Sequence, residues 1–121
     1  MPEGDTLHRI AGRLRPVLVG RPLVRFEARR LPRHQWPTSG TVITSVEAEG
    51  KHLLIGFDTG WVLHTHLRMT GSWHLVRAGE PWGRPAHLAR AVLAVEGWEA
   101  VCLRAPVVRL VPPSGPGSRA P

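Results

Sequence analysis

The chain has 121 residues, a formal charge of +7 and a pI near 11.6, with 42% hydrophobic residues. That is one domain with room for a core, and no apolar run approaches the roughly 20 residues of a membrane span, so a soluble cytoplasmic chain without a signal peptide is expected. A single cysteine, Cys102, excludes an internal disulfide or multi-cysteine zinc site and is expected as a small buried residue of a strand.

The first stretch, Met1-Pro2-Glu3-Gly4-Asp5-Thr6, carries the most chemistry. If Met1 is removed, the Pro2 nitrogen changes from an amide into a free secondary amine. A terminal amine has a pKa of about 8, so about a tenth is unprotonated at neutral pH, and its attack on an aldehyde carbon gives a cationic iminium that serves as an electron sink. Glu3 is the adjacent proton donor and acceptor. A Pro-Glu opening equally suits a helix entry.

Leu7, Ile10, Ala11, Leu14 and Val17 or Leu18 recur at helical spacing, which predicts one amphipathic helix. Asp5 or Thr6 would cap it, Gly20 and Pro22 would end it, and Pro16 should kink or shorten its last turn. A helix beginning near Glu3 would place its positive end by the Pro2 amine and disfavour the protonated form.

From Leu23 the pattern becomes that of short strands, expected at Leu23 to Arg29, Thr41 to Ala48, His52 to Phe57, Trp61 to Leu67, Ser72 to Val76, Leu88 to Val95, Ala100 to Arg104 and Val107 to Val111. Asp58-Thr59-Gly60 reads as a tight hairpin turn. The Pro- and Gly-rich stretches Leu31 to Gly40 and Ala78 to His87 are expected to cross between sheets. The fold class is thus mainly β, an N-terminal helix plus an eight-stranded antiparallel β-sandwich or flattened barrel, over residues 1–111. Residues 112–121, rich in Pro, Gly and Ser, are expected as a disordered linker whose following domain is missing.

The charge points to an anionic partner, most often a nucleic-acid backbone. Fifteen of the sixteen basic residues are arginine, as a GC-rich coding bias would produce, so the sole lysine stands out. Lys51 follows Glu49-Gly50 at a strand start, where its ammonium can reach a phosphate or leaving group; a solvated turn lysine has the same spacing. His64 and His66 share one face of a strand, with His52 on its neighbour. No carboxylate or cysteine accompanies them at ligand spacing, which favours packing or phosphate contact over a metal. Arg68-Met69-Thr70-Gly71 makes a turn whose tip pairs a cation with a flexible apolar side chain. Buried, Met69 is filler; exposed, it is suited to wedge into a base step and fill the gap of an extruded nucleotide.

The three motifs, Met-Pro-Glu-Gly-Asp-Thr at 1–6, Gly-Lys-His-Leu-Leu at 50–54 and His-Leu-Arg-Met-Thr-Gly-Ser-Trp at 66–73, resemble the formamidopyrimidine-DNA glycosylase and endonuclease VIII family, N-terminal domain, and most the actinobacterial endonuclease VIII-like branch. The resemblance implies a bifunctional DNA glycosylase and AP lyase excising oxidised bases, with Pro2 as nucleophile at the sugar C1′, Glu3 assisting ring opening and proton transfer, and Lys51 on the phosphate beside the lesion. Arg68 and Met69 would fill the void after flipping and His66 would touch the DNA backbone. It further implies damaged double-stranded DNA as partner, a monomer, no membrane, a nucleoid-associated place in a bacterial cytoplasm, and no cofactor in this chain. The family's helix-two-turn-helix and zinc-finger region is absent, so weak or no activity of the chain alone is expected. Thr6 stands where many relatives carry a second acid, and Thr70 where some carry a larger ring. The competing class is a non-catalytic nucleic-acid-binding β-module whose tryptophans stack on bases; a truncated reading frame is a third.

Overall fold

In the computed structural model residues 3–113 are described, with side chains from Leu7 onward; Pro2, the side chain of Glu3 and the tail from residue 114 lie outside the described residues. Helix α1 spans Glu3–Leu18. It buries Leu7, Ala11, Leu14 and Leu18, the stripe its periodicity predicts, while Ile10 and Val17 pack at the margin. Pro16 lies inside the helix, yet α1 runs two residues past it and the Val19 amide still donates to Arg15 O at 3.0 Å. The shortening expected there is therefore slight, because the bond a proline removes falls in the final turn. Nε and Nη2 of Arg15 both donate to Val46 O, at 2.9 and 2.7 Å, fastening the helix to the sheet beneath.

Eight strands follow among the described residues: β1 Arg25–Glu27, β2 Ile43–Glu49, β3 His52–Phe57, β4 Val62–His66, β5 Ser72–Arg77, β6 Ala89–Val95, β7 Trp98–Leu103 and β8 Val107–Val111. They form two antiparallel four-stranded sheets, ordered β1-β6-β7-β5 and β2-β3-β4-β8. The architecture is the expected sandwich, in its open form rather than as a closed barrel. Cys102 is buried in β7 as expected, and burial pushes its thiol pKa upward.

β1 is shorter than its pattern, since the chain before it bridges both sheets: Leu23 donates to Thr41 O and Val24 to Ala94 O. The Asp58–Gly60 turn forms as expected, with Gly60 N on Phe57 O at 2.9 Å. Its φ of +91° and the Pro113 Cβ 2.7 Å from where a Cβ would stand both require glycine there.

The segment Leu31 to Gly40 does cross from one sheet to the other. Ala78 to His87 does not: it joins β5 to β6 within one sheet, passing over β7. The reason lies in the composition of β6 and β7, which are apolar on both faces. Leu93, Ala100 and Cys102 point into the main core, whereas Val92, Val101 and Leu103 form a second cluster against Trp82 and Leu88. The loop therefore stays to cover that outer face, pinned by Trp82 Nε1 donating to Glu99 Oε1 at 2.9 Å.

Between the sheets lie Val46, Leu53, Ile55 and Leu63 from one side and Trp73, Leu93 and Cys102 from the other. One buried polar residue sits among them with its hydrogen bonds made: Thr65 receives Trp73 Nε1 at 3.1 Å and donates to Leu53 O at 3.4 Å. The tryptophans serve as core aromatics. Trp73 is buried, Trp36, Trp61 and Trp98 pack against the main core, and Trp82 packs against the second cluster.

Candidate active site

Two turns converge on the start of α1. One is Gly50-Lys51 between β2 and β3, and the other is residues 67–71 between β4 and β5. Together they enclose a cavity of about 200 Å³ lined by Leu7 and Ile10 of the helix, Lys51, Arg68, Met69 and Ser72. Leu7 is four residues into a helix that begins at Glu3, about 6 Å of axial rise. Lys51 and the adjacent pair Arg68-Met69, on two separate turns, are thus gathered at one place beside the opening segment.

The second turn has an unusual backbone. Arg68 has φ +53° and Arg104, across from it, φ +59°, a left-handed conformation that non-glycine residues adopt rarely and that clusters at functional sites. Two hydrogen bonds hold it: Gly71 N to Leu67 O at 2.8 Å and Thr70 Oγ1 to Arg104 O at 3.1 Å. Gly71 is obligatory, as an added Cβ would stand 2.9 Å from Leu67 Cα and O and 3.0 Å from Ala105 Cα, all backbone. Gly71→Ala should cost on the order of 2 kcal/mol, visible as a lower urea midpoint at unchanged slope. At the tip Met69 is 83% exposed. It is therefore no core filler, and its exposure suits the wedge reading.

His52 and His66 are register partners on β3 and β4, and His64 pairs with Arg109 across β4 and β8. All four occupy the outer face. His52 Nδ1 lies 2.7 Å from His64 Nε2, an Arg109 Nη2 donates to His64 Nδ1 at 3.2 Å, and the His52 and His66 rings stack with centroids 4.1 Å apart. Both ring nitrogens of His64 are thereby engaged. Among the described residues no group of three or more His, Cys, Asp or Glu suits a metal. Arg109 was not singled out from the sequence; the alternation of β8 opposite His64 was the available signal.

A second basic cavity of about 220 Å³ adjoins the first, between α1 and β5, where Arg13, His74, Trp82 and Arg84 meet. Ser72, which lines the first cavity, lies 2.8 Å from Nε2 of His74. Sequence reading did not pair these residues, because the loop carrying Arg84 was expected to leave the sheet.

His64 and His74 both have pKa values below the usual imidazole value. Burial is the main cause in each case, aided by His52, Arg109 and His66 around His64, against which Glu49 acts, and by Arg84 and Arg13 around His74. With folded values depressed, the unfolded chain binds protons first as pH falls. Stability is therefore full above the unfolded value of about 6.5 and declines below it. Thermal melts should show Tm falling from pH 7 to pH 5, and His64→Gln should flatten part of that decline.

The chain belongs to the family of the formamidopyrimidine-DNA glycosylase N-terminal domain, whose model matches residues 1–106. It is 41% identical over 113 residues to a probable endonuclease 8 2 of Streptomyces coelicolor, covering 92% of this chain and 41% of that protein. It is also 43% identical over 94 residues to an endonuclease 8 2 of Mycobacterium tuberculosis, covering 77% of this chain and 35% of that protein. The fold matches a Lactococcus lactis formamidopyrimidine DNA glycosylase bound non-covalently to DNA containing an AP site, with TM-score 0.69 at 16% identity over 92% of this chain and 44% of that one. The chain thus spans less than half the length of these relatives. Among the described residues no helix is long and apolar enough to cross a membrane.

Proposed function

We propose that this chain is the N-terminal, amine-bearing domain of a bifunctional DNA glycosylase and AP lyase acting on damaged double-stranded DNA. The observation that carries the reading is the gathering of Lys51, Arg68 and Met69 around one cavity at the start of α1, in a chain whose residues 1–106 match the family model. Relatives named endonuclease 8 and, in Mycolicibacterium smegmatis, DNA-(apurinic or apyrimidinic site) lyase support it. In this reading the zinc-finger region lies outside the chain.

The lone pair of the Pro2 nitrogen forms a bond to C1′ as the glycosidic bond breaks, and the base leaves with its electron pair and a proton. Glu3 helps the sugar ring open by passing a proton to the ring oxygen. The resulting iminium acidifies C2′; loss of that proton expels the 3′ phosphate, and a second elimination expels the 5′ phosphate, leaving a one-nucleotide gap. Lys51 holds the phosphate beside the lesion, His66 and Arg68 contact the strand, and Met69 fills the space of the extruded nucleotide. Because a single domain gives the duplex one wall, a second region grips the opposite face in the intact protein.

Borohydride reduction during incubation with abasic-site duplex tests this. The expected result is a covalent protein–DNA adduct, raised in yield when the chain is extended by the remaining region of an endonuclease 8 relative. Absence of an adduct in both forms would overturn the reading.

A further inference from the structure

The outer face of β3, β4 and β8 carries a hydrogen-bond relay whose direction follows from chemistry alone. A guanidinium only donates, so His64 Nδ1 accepts from Arg109, and the proton of His64 must reside on Nε2. That nitrogen is 2.7 Å from His52 Nδ1, which therefore accepts. His52 is left with its proton on Nε2. Protonating either ring would break a link, since a cationic imidazole has no acceptor nitrogen. The surroundings of His64, which hold its pKa low, favour the neutral ring.

We infer that Arg109, His64 and His52 form a directed relay that presents the His52 Nε2–H as an uncharged donor to a nucleic-acid phosphate next to that held by Lys51, with His64 and Arg109 as positioning residues. This rests on the proposed DNA-directed function and extends it to three residues to which the resemblance gives no role. The stacked His66 ring fixes the plane of His52, so the donor is preorganised and little entropy is lost on binding. The titratable and charged groups of this face are Glu47 and Glu49 on β2, Lys51 in the turn, His52, His64 and His66, and Arg109. Register places Glu49 beside His52 and Glu47 two strands from His64. Both carboxylates lie on the β2 side, which directs a polyanion from Lys51 across His52 toward Arg109.

A neutral donor has a distinctive signature in salt. Neutralising a phosphate releases counterions, so loss of a charged contact lowers the slope of log K against log salt by about 0.9; loss of a neutral hydrogen bond to the same phosphate leaves the slope unchanged. Binding of the full 121-residue chain to a duplex carrying a tetrahydrofuran abasic analogue, which needs no Pro2 chemistry, is the measurement. His52→Ala should weaken binding about tenfold or more at constant slope, whereas Lys51→Ala should weaken it and reduce the slope. His64→Leu should match His52→Ala, and His64→Gln, whose amide accepts and donates, should recover most of the loss. Two-bond proton–nitrogen correlation spectra near pH 7.5 should place the proton on Nε2 in both His52 and His64.

A proton on Nδ1 of either ring overturns the relay. So does unchanged affinity in His52→Ala, a slope that falls with it, a His64→Gln as weak as His64→Leu, or no binding by the unaltered chain at low salt. Failed borohydride trapping with these binding results intact would remove only the catalytic reading.

Discussion

Placing one extra residue ahead of Pro2 is expected to reduce borohydride-trapped adduct to background while leaving the thermal melt unchanged. The extension turns the ring nitrogen back into an amide, whose lone pair is delocalised into the carbonyl and cannot attack C1′. Among the described side chains the first buried residue of α1 is Leu7, so no described core contact involves residue 2. Binding to the tetrahydrofuran duplex should also persist, because Lys51, Arg68 and Met69 are untouched. Pro2→Gly without an extension keeps a terminal amine and should retain some trapping, with an imine that must gain a proton before it becomes an electron sink. The contrast between the two variants separates loss of the nucleophile from loss of the ring.

Leu14→Ala should give the largest loss of stability. Leu14 is 1% exposed on the inner stripe of α1, and truncating such a leucine costs about 2–5 kcal/mol from lost transfer energy and the residual cavity. For a domain of this size that is a fall in Tm of roughly 10–25 °C. The helix is also held at Arg15 by two hydrogen bonds to Val46 O, so it should remain attached at low temperature. Trapping would then survive in the cold and fail earlier than in the unaltered chain as temperature rises. An equal loss at all temperatures would mean that the helix had moved.

Helix α1 and most strands were legible because their patterns are local: a 3.6-residue stripe of Leu7, Ala11, Leu14 and Leu18, and alternation in β2, β4 and β8. The path of Ala78 to His87 was not. It depends on β6 and β7 being apolar on both faces, which a run such as Ala91-Val92-Leu93-Ala94-Val95 does not reveal until Trp82 is seen covering the outer side. At the site, Lys51 and the Arg68-Met69 tip could be singled out by residue type and turn context. Their common cavity could not, since it needs α1 to lie against the turns flanking the β3–β4 hairpin, nor could the Arg109–His64 link, since it needs β8 to pair with β4, far away in sequence. The left-handed Arg68 and Arg104 were equally hidden, because neither residue type signals a positive φ. For Thr70, the hydrogen bond to Arg104 O gives the residue a part in holding the turn that its position in the motif did not suggest.

The proposed chemistry requires a secondary amine at residue 2 to form the bond to the sugar. Digestion of the borohydride-reduced adduct followed by peptide mass spectrometry locates that bond directly. A deoxyribose remnant is expected on the peptide beginning at Pro2, with Met1 gone. A remnant carried by Lys51, or an adduct formed by chains that retain Met1, would contradict it.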